Sequence, residues 1–199
     1  MKTLRQLSPY LLSAVSIVSL ALSTGTTAPD FSLPDTSGKT HSLSEYHGKY
    51  VVLEWINPDC PFVRKHYESG NMPSLQKTYT AKGVVWLSID SSAPGNQGNY
   101  PPADLATWEK EKNAAATAVL LDPDGRVGRE YGAKATPGMF VINPSGQLIY
   151  EGAIDSIAST DKSDIAKATN YVKAALDESM AGKSVTTPQT RAYGCGVKY

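Results

Sequence analysis

Residues 51–67 read V-V-L-E-W-I-N-P-D-C-P-F-V-R-K-H-Y, and their reading decides the fold. Tyr50 to Ile56 is an apolar run broken only by Glu54, the pattern of a strand covered on both faces. Asn57-Pro58-Asp59 ends it, because Pro58 has no N–H to give to a ladder. From Pro61 onward, Phe62, Val63, His66 and Tyr67 recur at helical spacing. Proline suits a first helical position, where its missing N–H would be unpaired anyway. A buried strand, a tight turn and a helix thus follow one another, and Cys60 sits at the junction.

The same reading extends outward. Gly70 to Pro73 breaks the first helix, and a second runs to about Lys82 with Gly83 as its stop. Val84 to Ile89 is the next strand. A loop rich in Gly, Asn and Pro (Ser91 to Pro102) leads to a helix over Asp104 to Asn113. Thr117 to Leu121 reads as a strand and Arg126 to Tyr131 as a short helix ended by Gly132. Met139 to Ile142 and Leu148 to Glu151 are strands joined by N-P-S-G-Q, a hairpin signal. Asp161 to Met180 is expected to be one long helix, with Ile165, Ala168, Val172, Ala175 and Leu176 on one face. Ala28 to Gly48 is polar and turn-rich. Strands alternating with helices, then a hairpin and a helix, give an α/β domain with a mixed central sheet flanked by helices.

The first 28 residues are set apart. Lys2 and Arg5 precede an apolar stretch, Tyr10 to Leu22, of signal-peptide length and too short to span a bilayer comfortably. Small residues follow, and cleavage is expected at about residues 23–28. Nothing later would hold the chain to a membrane. The protein is therefore expected to be exported, periplasmic or secreted. A domain over 29–182 and a tail over 183–199 remain. The whole chain balances 19 basic against 19 acidic residues, and losing Lys2 and Arg5 leaves a net charge near −2. With no basic block, nucleic acid is excluded as a partner class.

There are two cysteines, Cys60 and Cys195. In an oxidising compartment an even pair can persist as a disulfide. As a plain structural staple its long loop would be worth about 4–5 kcal/mol on the chain-entropy model. Cys60 has features that favour reactivity instead. Reactive groups gather at the carboxyl ends of strands in such sheets. A helix N-terminus stabilises a thiolate, and Arg64, one turn along, is expected to add a cation on roughly the same face. Glu54, an acid within an apolar run, is expected to be buried with a raised pKa, close enough to exchange a proton with Cys60. Thr136-Pro137 enters the strand M-F-V-I, where a proline is suited to a cis bond and a flat apolar surface. His41, His47 and His66 do not make a metal motif, and no bound cofactor is called for.

Three separated segments carry a resemblance. A-P-D-F-S-L-P-D-T-S-G-K (28–39) resembles the opening of redoxins of the alkyl-hydroperoxide-reductase/thiol-specific-antioxidant (AhpC/TSA) group. V-V-L-E-W-I-N-P-D-C-P and A-T-P-G-M-F-V-I-N-P-S-G resemble the active-site strand and the cis-proline hairpin of the thioredoxin fold. The likeness covers about residues 28–180 and implies a thioredoxin-like fold. It implies that Cys60 is the attacking cysteine, Glu54 the buried acid and Thr136-Pro137 the pair facing the thiol. Val63 stands where thioredoxins carry the resolving cysteine. Leu53 and Asn57 replace the Pro and Thr/Ser of the peroxiredoxin motif, and Pro137 stands where an arginine is usual. Asn57, Arg64 and Arg126 are the donors left to polarise a peroxide.

Some redoxins resolve the first cysteine with one from a C-terminal segment. By that resemblance Cys195, in Y-G-C-G-V-K-Y, is the candidate resolving thiol, within one chain or between two. Its flanking glycines give an expected mobile tail. The leading expectation is a thiol–disulfide oxidoreductase acting on protein or small-molecule thiols and disulfides. A thiol peroxidase using the same Cys60, and a redox-inactive binding module whose cysteines only staple the tail, are the alternatives.

Overall fold

The computed structural model describes residues 22–199, so most of the expected leader, residues 1–21, lies outside the described residues. The chain first forms a small antiparallel pair, β1 (Ser32–Pro34) and β2 (Thr40–Ser42), from the stretch read only as turn-rich. Next come β3 (Val51–Ile56), α1 (Pro61–Glu68), α2 (Asn71–Thr80), β4 (Val85–Asp90) and α3 (Pro102–Glu111). They are followed by β5 (Ala118–Leu121), α4 (Arg126–Tyr131), β6 (Ala135–Thr136), β7 (Gly138–Ile142) and β8 (Leu148–Gly152). The chain ends with α5 (Tyr171–Met180) and β9 (Cys195–Gly196).

The central sheet has the order β5-β4-β3-β7-β8. The three strands β5, β4 and β3 run parallel, while β7 pairs antiparallel with β3 and with β8. This is the mixed α/β sheet of a thioredoxin-like fold. Its middle strand is β3, every residue of which is buried, which is why its sequence is continuously apolar. Alternate side chains serve two cores. Val52 and Ile56 join Val63, Tyr67, Leu105, Trp108, Val172 and Leu176, on the face covered by α1, α2, α3 and α5. Val51, Leu53 and Trp55 join Phe31, Phe140, Val127 and Tyr131, beneath α4 and the segment leading into β1. Fully burying a side chain of this size stabilises by about 1.5–3 kcal/mol. Among the described residues no helix is long and apolar enough to cross a membrane.

Two expectations are corrected. Asp161 to Met180 is not one helix. Lys162–Lys167 forms a 3-10 helix, Ala168 is extended (ψ 143°), and α5 begins after Asn170. Backbone pairing wins over helix propensity here. Ser156 N–H donates to Thr169 O (3.1 Å) and Tyr171 N–H to Ile154 O (3.0 Å). The Asn170 side chain then caps α5 by accepting from Lys173 N–H (2.8 Å). Ile165 and Ala168 accordingly stay out of the core.

The tail is also not a free segment. It runs back along the domain as a strap. Glu151 N–H donates to Pro188 O, Thr190 N–H to Glu151 O, Val197 N–H to Lys134 O, and Ala93 N–H to Lys198 O. The Tyr199 hydroxyl donates to Ala133 O (2.7 Å), and its ring lies under the Arg129 guanidinium at 4.5 Å. Each backbone bond fixes a polar group that a mobile chain would leave to water.

Candidate active site

The turn at the end of β3 is built by local hydrogen bonds. Asp59 N–H donates to the Asn57 side-chain oxygen (2.9 Å), and Cys60 N–H to Asn57 O (3.0 Å). Cys60 is the N-cap of α1 with extended backbone (φ −72°, ψ 122°), and Pro61 opens the helix. The loop 91–102 covers this turn. Asn57 Nδ2 donates to Gln97 O (2.9 Å), and the Tyr100 hydroxyl donates to Asp59 (3.0 Å). Gly98 lies so close that a Cβ there would run into the Asn57 side chain.

Cys60 is 1% exposed and its thiol donates to Thr136 O at 3.1 Å. The Thr136–Pro137 bond is cis. On the other side of Thr136 lies the tail: β6 and β9 pair antiparallel, with Thr136 opposite Cys195 and Ala135 opposite Gly196. The two cysteines, far apart in sequence, are thereby brought against one another, and both are free thiols. Gly194 is needed for this approach. Its φ is +130°, and a Cβ there would collide with Thr136 O.

The two thiols differ in acidity. Burial pushes Cys60 up. Hydrogen bonds from the Cys195 and Thr136 side chains and from the backbone N–H groups of Val63 and Cys195 outweigh it, so its pKa is lowered. Burial, then the hydrogen bond and charge of Cys60, push Cys195 up to about 11. Cys60 is thus the more acidic of the two thiols and Cys195 the less acidic. Cys60 does stand at the helix N-terminus expected from sequence, as the N-cap of α1. Arg64 is not a contributor: its guanidinium is bound by Pro58 O (2.9 Å) and Asp59 (2.8 Å), on the solvent side of the turn.

Glu54 is fully buried on the same face of β3 as Val52 and Ile56. Its carboxylate accepts from Tyr67 (2.9 Å), Gln76 (3.0 Å), Trp86 Nε1 (2.7 Å) and Ser88 (3.4 Å). Burial pushes its pKa up to about 7 against those four bonds. None of them reaches Cys60. Glu109 of α3, a residue the sequence did not single out, is another buried acid, on the same side of the sheet. Burial, reinforced by the Glu54 charge, pushes it up to about 8, and its Oε1 is buried without a partner.

The strap is anchored beside the cysteines by Tyr193, also unforeseen. Its ring packs on Phe62 (5.8 Å, edge-on), and its hydroxyl donates to Asp155 and lies 3.3 Å from His66 Nε2. Burial holds His66 down to about 4, so the imidazole is neutral at physiological pH. Upstream, the Thr190 hydroxyl accepts from Ala153 N–H (2.9 Å) and pairs with the Tyr150 hydroxyl (2.7 Å). A broad groove of about 1640 Å³ runs along the strap, lined by residues such as Lys134, Glu151, Arg191 and Gly194, but contains neither cysteine. Among the described residues no cluster of three or more His, Cys, Asp or Glu is arranged to hold a metal.

The peroxide donors offered by the sequence are engaged elsewhere. Asn57 and Arg64 hold the turn and its covering loop, and Arg126 lies 3.8 Å from Glu130.

A family model described as the AhpC/TSA family matches residues 24–151; Cys195 lies beyond that match. The thiol-disulfide oxidoreductase ResA of Geobacillus thermodenitrificans is 28% identical over 130 residues, covering 64% of this chain and 68% of that protein. Among solved structures, a hypothetical protein from Sinorhizobium meliloti 1021 aligns with a TM-score of 0.76 at 25% identity, over 90% of this chain and 96% of that one. A putative thiol:disulfide interchange protein DsbE from Chlorobium tepidum aligns with a TM-score of 0.56 at 27% identity, over 78% and 99%.

Proposed function

The chain belongs to the AhpC/TSA family, and within it we propose a thiol–disulfide oxidoreductase whose redox-active pair is Cys60 and Cys195. The observation that carries this reading is their meeting across Thr136, whose carbonyl accepts from the Cys60 thiol while its backbone pairs with Cys195. The relatives named ResA and DsbE support the same chemistry. Cys60 supplies the thiolate, which is the nucleophilic form of the group. Cys195 supplies the second sulfur that Val63 cannot. Thr136 accepts the thiol hydrogen bond and aligns the strap, and Pro137 shapes the buried surface beside it. Glu54 acts as an internal proton store rather than a direct contact of the thiol. Substrates are thiols and disulfides of proteins or small molecules. The leader-like N-terminus supports work in the cell envelope, where such exchange has a use.

Mild oxidation followed by peptide mapping tests the pair. The expected product is a Cys60–Cys195 disulfide within one chain. Two free thiols, or a disulfide only between chains, would refute the reading. Stopped-flow mixing of the reduced protein with hydrogen peroxide is expected to give no rate beyond that of an ordinary cysteine thiolate, because the polarising donors point away.

A further inference from the structure

Which sulfur a partner meets first is a question that rests on the Cys60–Cys195 pair. In a thioredoxin-like site read from sequence alone, Cys60 would touch the partner first and the other cysteine would act second. The packing is the reverse. Cys60 is 1% exposed, while Cys195 is half-buried. The backbone edge at Ala135–Thr136, which an extended peptide would need, is already paired with Cys195–Gly196 of the same chain. The strap is fastened on both sides of Cys195, by Thr190 and Tyr193 before it and by Val197, Lys198 and Tyr199 after it. An incoming group therefore reaches Cys195 with the strap in place and reaches Cys60 only after several of these bonds open.

We propose that a dithiol partner enters at Cys195. The partner thiolate attacks Cys195 Sγ of the internal disulfide. A new partner–Cys195 disulfide forms, the Cys60–Cys195 bond breaks, and its electron pair leaves on Cys60 as a thiolate. The partner's second thiolate then attacks its own sulfur in the mixed disulfide. Cys195 departs and takes up a proton from solvent. The partner is oxidised to its disulfide by two electrons, and the pair is reduced to two thiols. The acidity difference favours the first displacement, in which Cys60 leaves, because a thiol of low pKa leaves faster than one of high pKa. The strap behaves as a strand already docked in the peptide edge, with its own cysteine as the point of exchange.

The test uses the full chain, oxidised to its internal disulfide and mixed with glutathione as the probe thiol. Acid quenching at short times and peptide mapping locate the glutathione. The expected result is a Cys195 adduct in excess of about tenfold over a Cys60 adduct. Tyr193→Phe keeps the packing on Phe62 but removes the bonds to Asp155 and His66. It is expected to shift adducts toward Cys60 and to speed iodoacetamide alkylation of Cys60 in the reduced protein. Glutathione found mainly on Cys60 in the unaltered chain overturns the inference and leaves the pair intact. Failure to form the internal disulfide at all overturns the reading beneath it. If Tyr193→Phe does not fold, the adduct ratio of the unaltered chain decides alone.

Discussion

Replacing Glu54 by glutamine should flatten a pH dependence of stability that the buried carboxyl imposes. In the folded protein the Glu54 carboxyl is pushed from an ordinary 4.5 up to about 7, with full burial as the cause. Below 4.5 it is protonated in both states and its stabilising contribution is complete. As pH rises from 4.5 to about 7, the unfolded chain gives up the proton while the folded one keeps it, so rising pH favours unfolding. At about 1.4 kcal/mol per pH unit the loss amounts to about 3 kcal/mol and is constant above about 7. The Glu54→Gln protein has no proton to lose at this position. It does present an amide nitrogen to at least one of four donors, from Tyr67, Gln76, Trp86 and Ser88, at a cost of about 1–3 kcal/mol. The protonated carboxyl also turns one O–H toward this set, so the difference at pH 4.5 is at most that cost, and the Glu54→Gln protein should gain about 3 kcal/mol on the unaltered one by pH 7.5. Glu109 works in the same direction, because removing the Glu54 charge eases its own ionisation. Urea unfolding of both reduced proteins across this range measures the gap by linear extrapolation. A gap constant to within about 0.5 kcal/mol from pH 4.5 to 7.5 would show that Glu54 does not titrate as its burial requires.

Cys195→Ala removes the neighbouring thiol that helps lower the Cys60 pKa and should raise it, read from thiolate absorbance against pH; an unchanged titration would mean that the thiols do not meet. Gly194→Ala places a methyl group against Thr136 O in a backbone conformation that costs alanine about 1–3 kcal/mol. Internal disulfide formation should slow by about tenfold or more with little change in secondary structure, and an unaltered rate would argue against the strap geometry. For the proposed leader, N-terminal sequencing of any processed form should find residues 25–28 retained. Gly25 N–H donates to Leu148 O (2.7 Å), Leu148 N–H to Thr26 O (2.9 Å) and Ala28 N–H to Gly146 O (2.9 Å). A mature chain beginning at Pro29 would contradict it.

Much of the fold was legible because it is local. The unbroken apolar run of β3, the proline at the start of α1, the Gly132 stop after α4 and the N-P-S-G-Q hairpin each announce themselves within a few residues. The long helix over 161–180 failed because pairing of Thr169 and Tyr171 with the chain after β8 overrode a good helical face. Glu54 stood out as one acid in an apolar strand. Glu109 gave a weaker form of the same signal, lying beside Trp108 on the buried side of α3. Arg64 misled because spacing says which face of a helix a residue occupies, not which acceptor its guanidinium finds; it binds Asp59 and Pro58.

The sequence by itself determined an α/β sheet with a cysteine at the end of its central strand, since periodicity, prolines and glycines act over a turn or two of chain. Only the tertiary structure decided what lies over that cysteine. The tail has no period, and β9 is two residues long. Its place depends on scattered bonds to Glu151, Asp155, Lys134 and Ala93, each remote in sequence. Such contacts leave no local pattern because each is favourable only after the sheet has brought its partner into reach. That is why Cys195 was legible as a candidate, while its position on Thr136, its shielding of Cys60 and the difference in acidity between the two thiols were not.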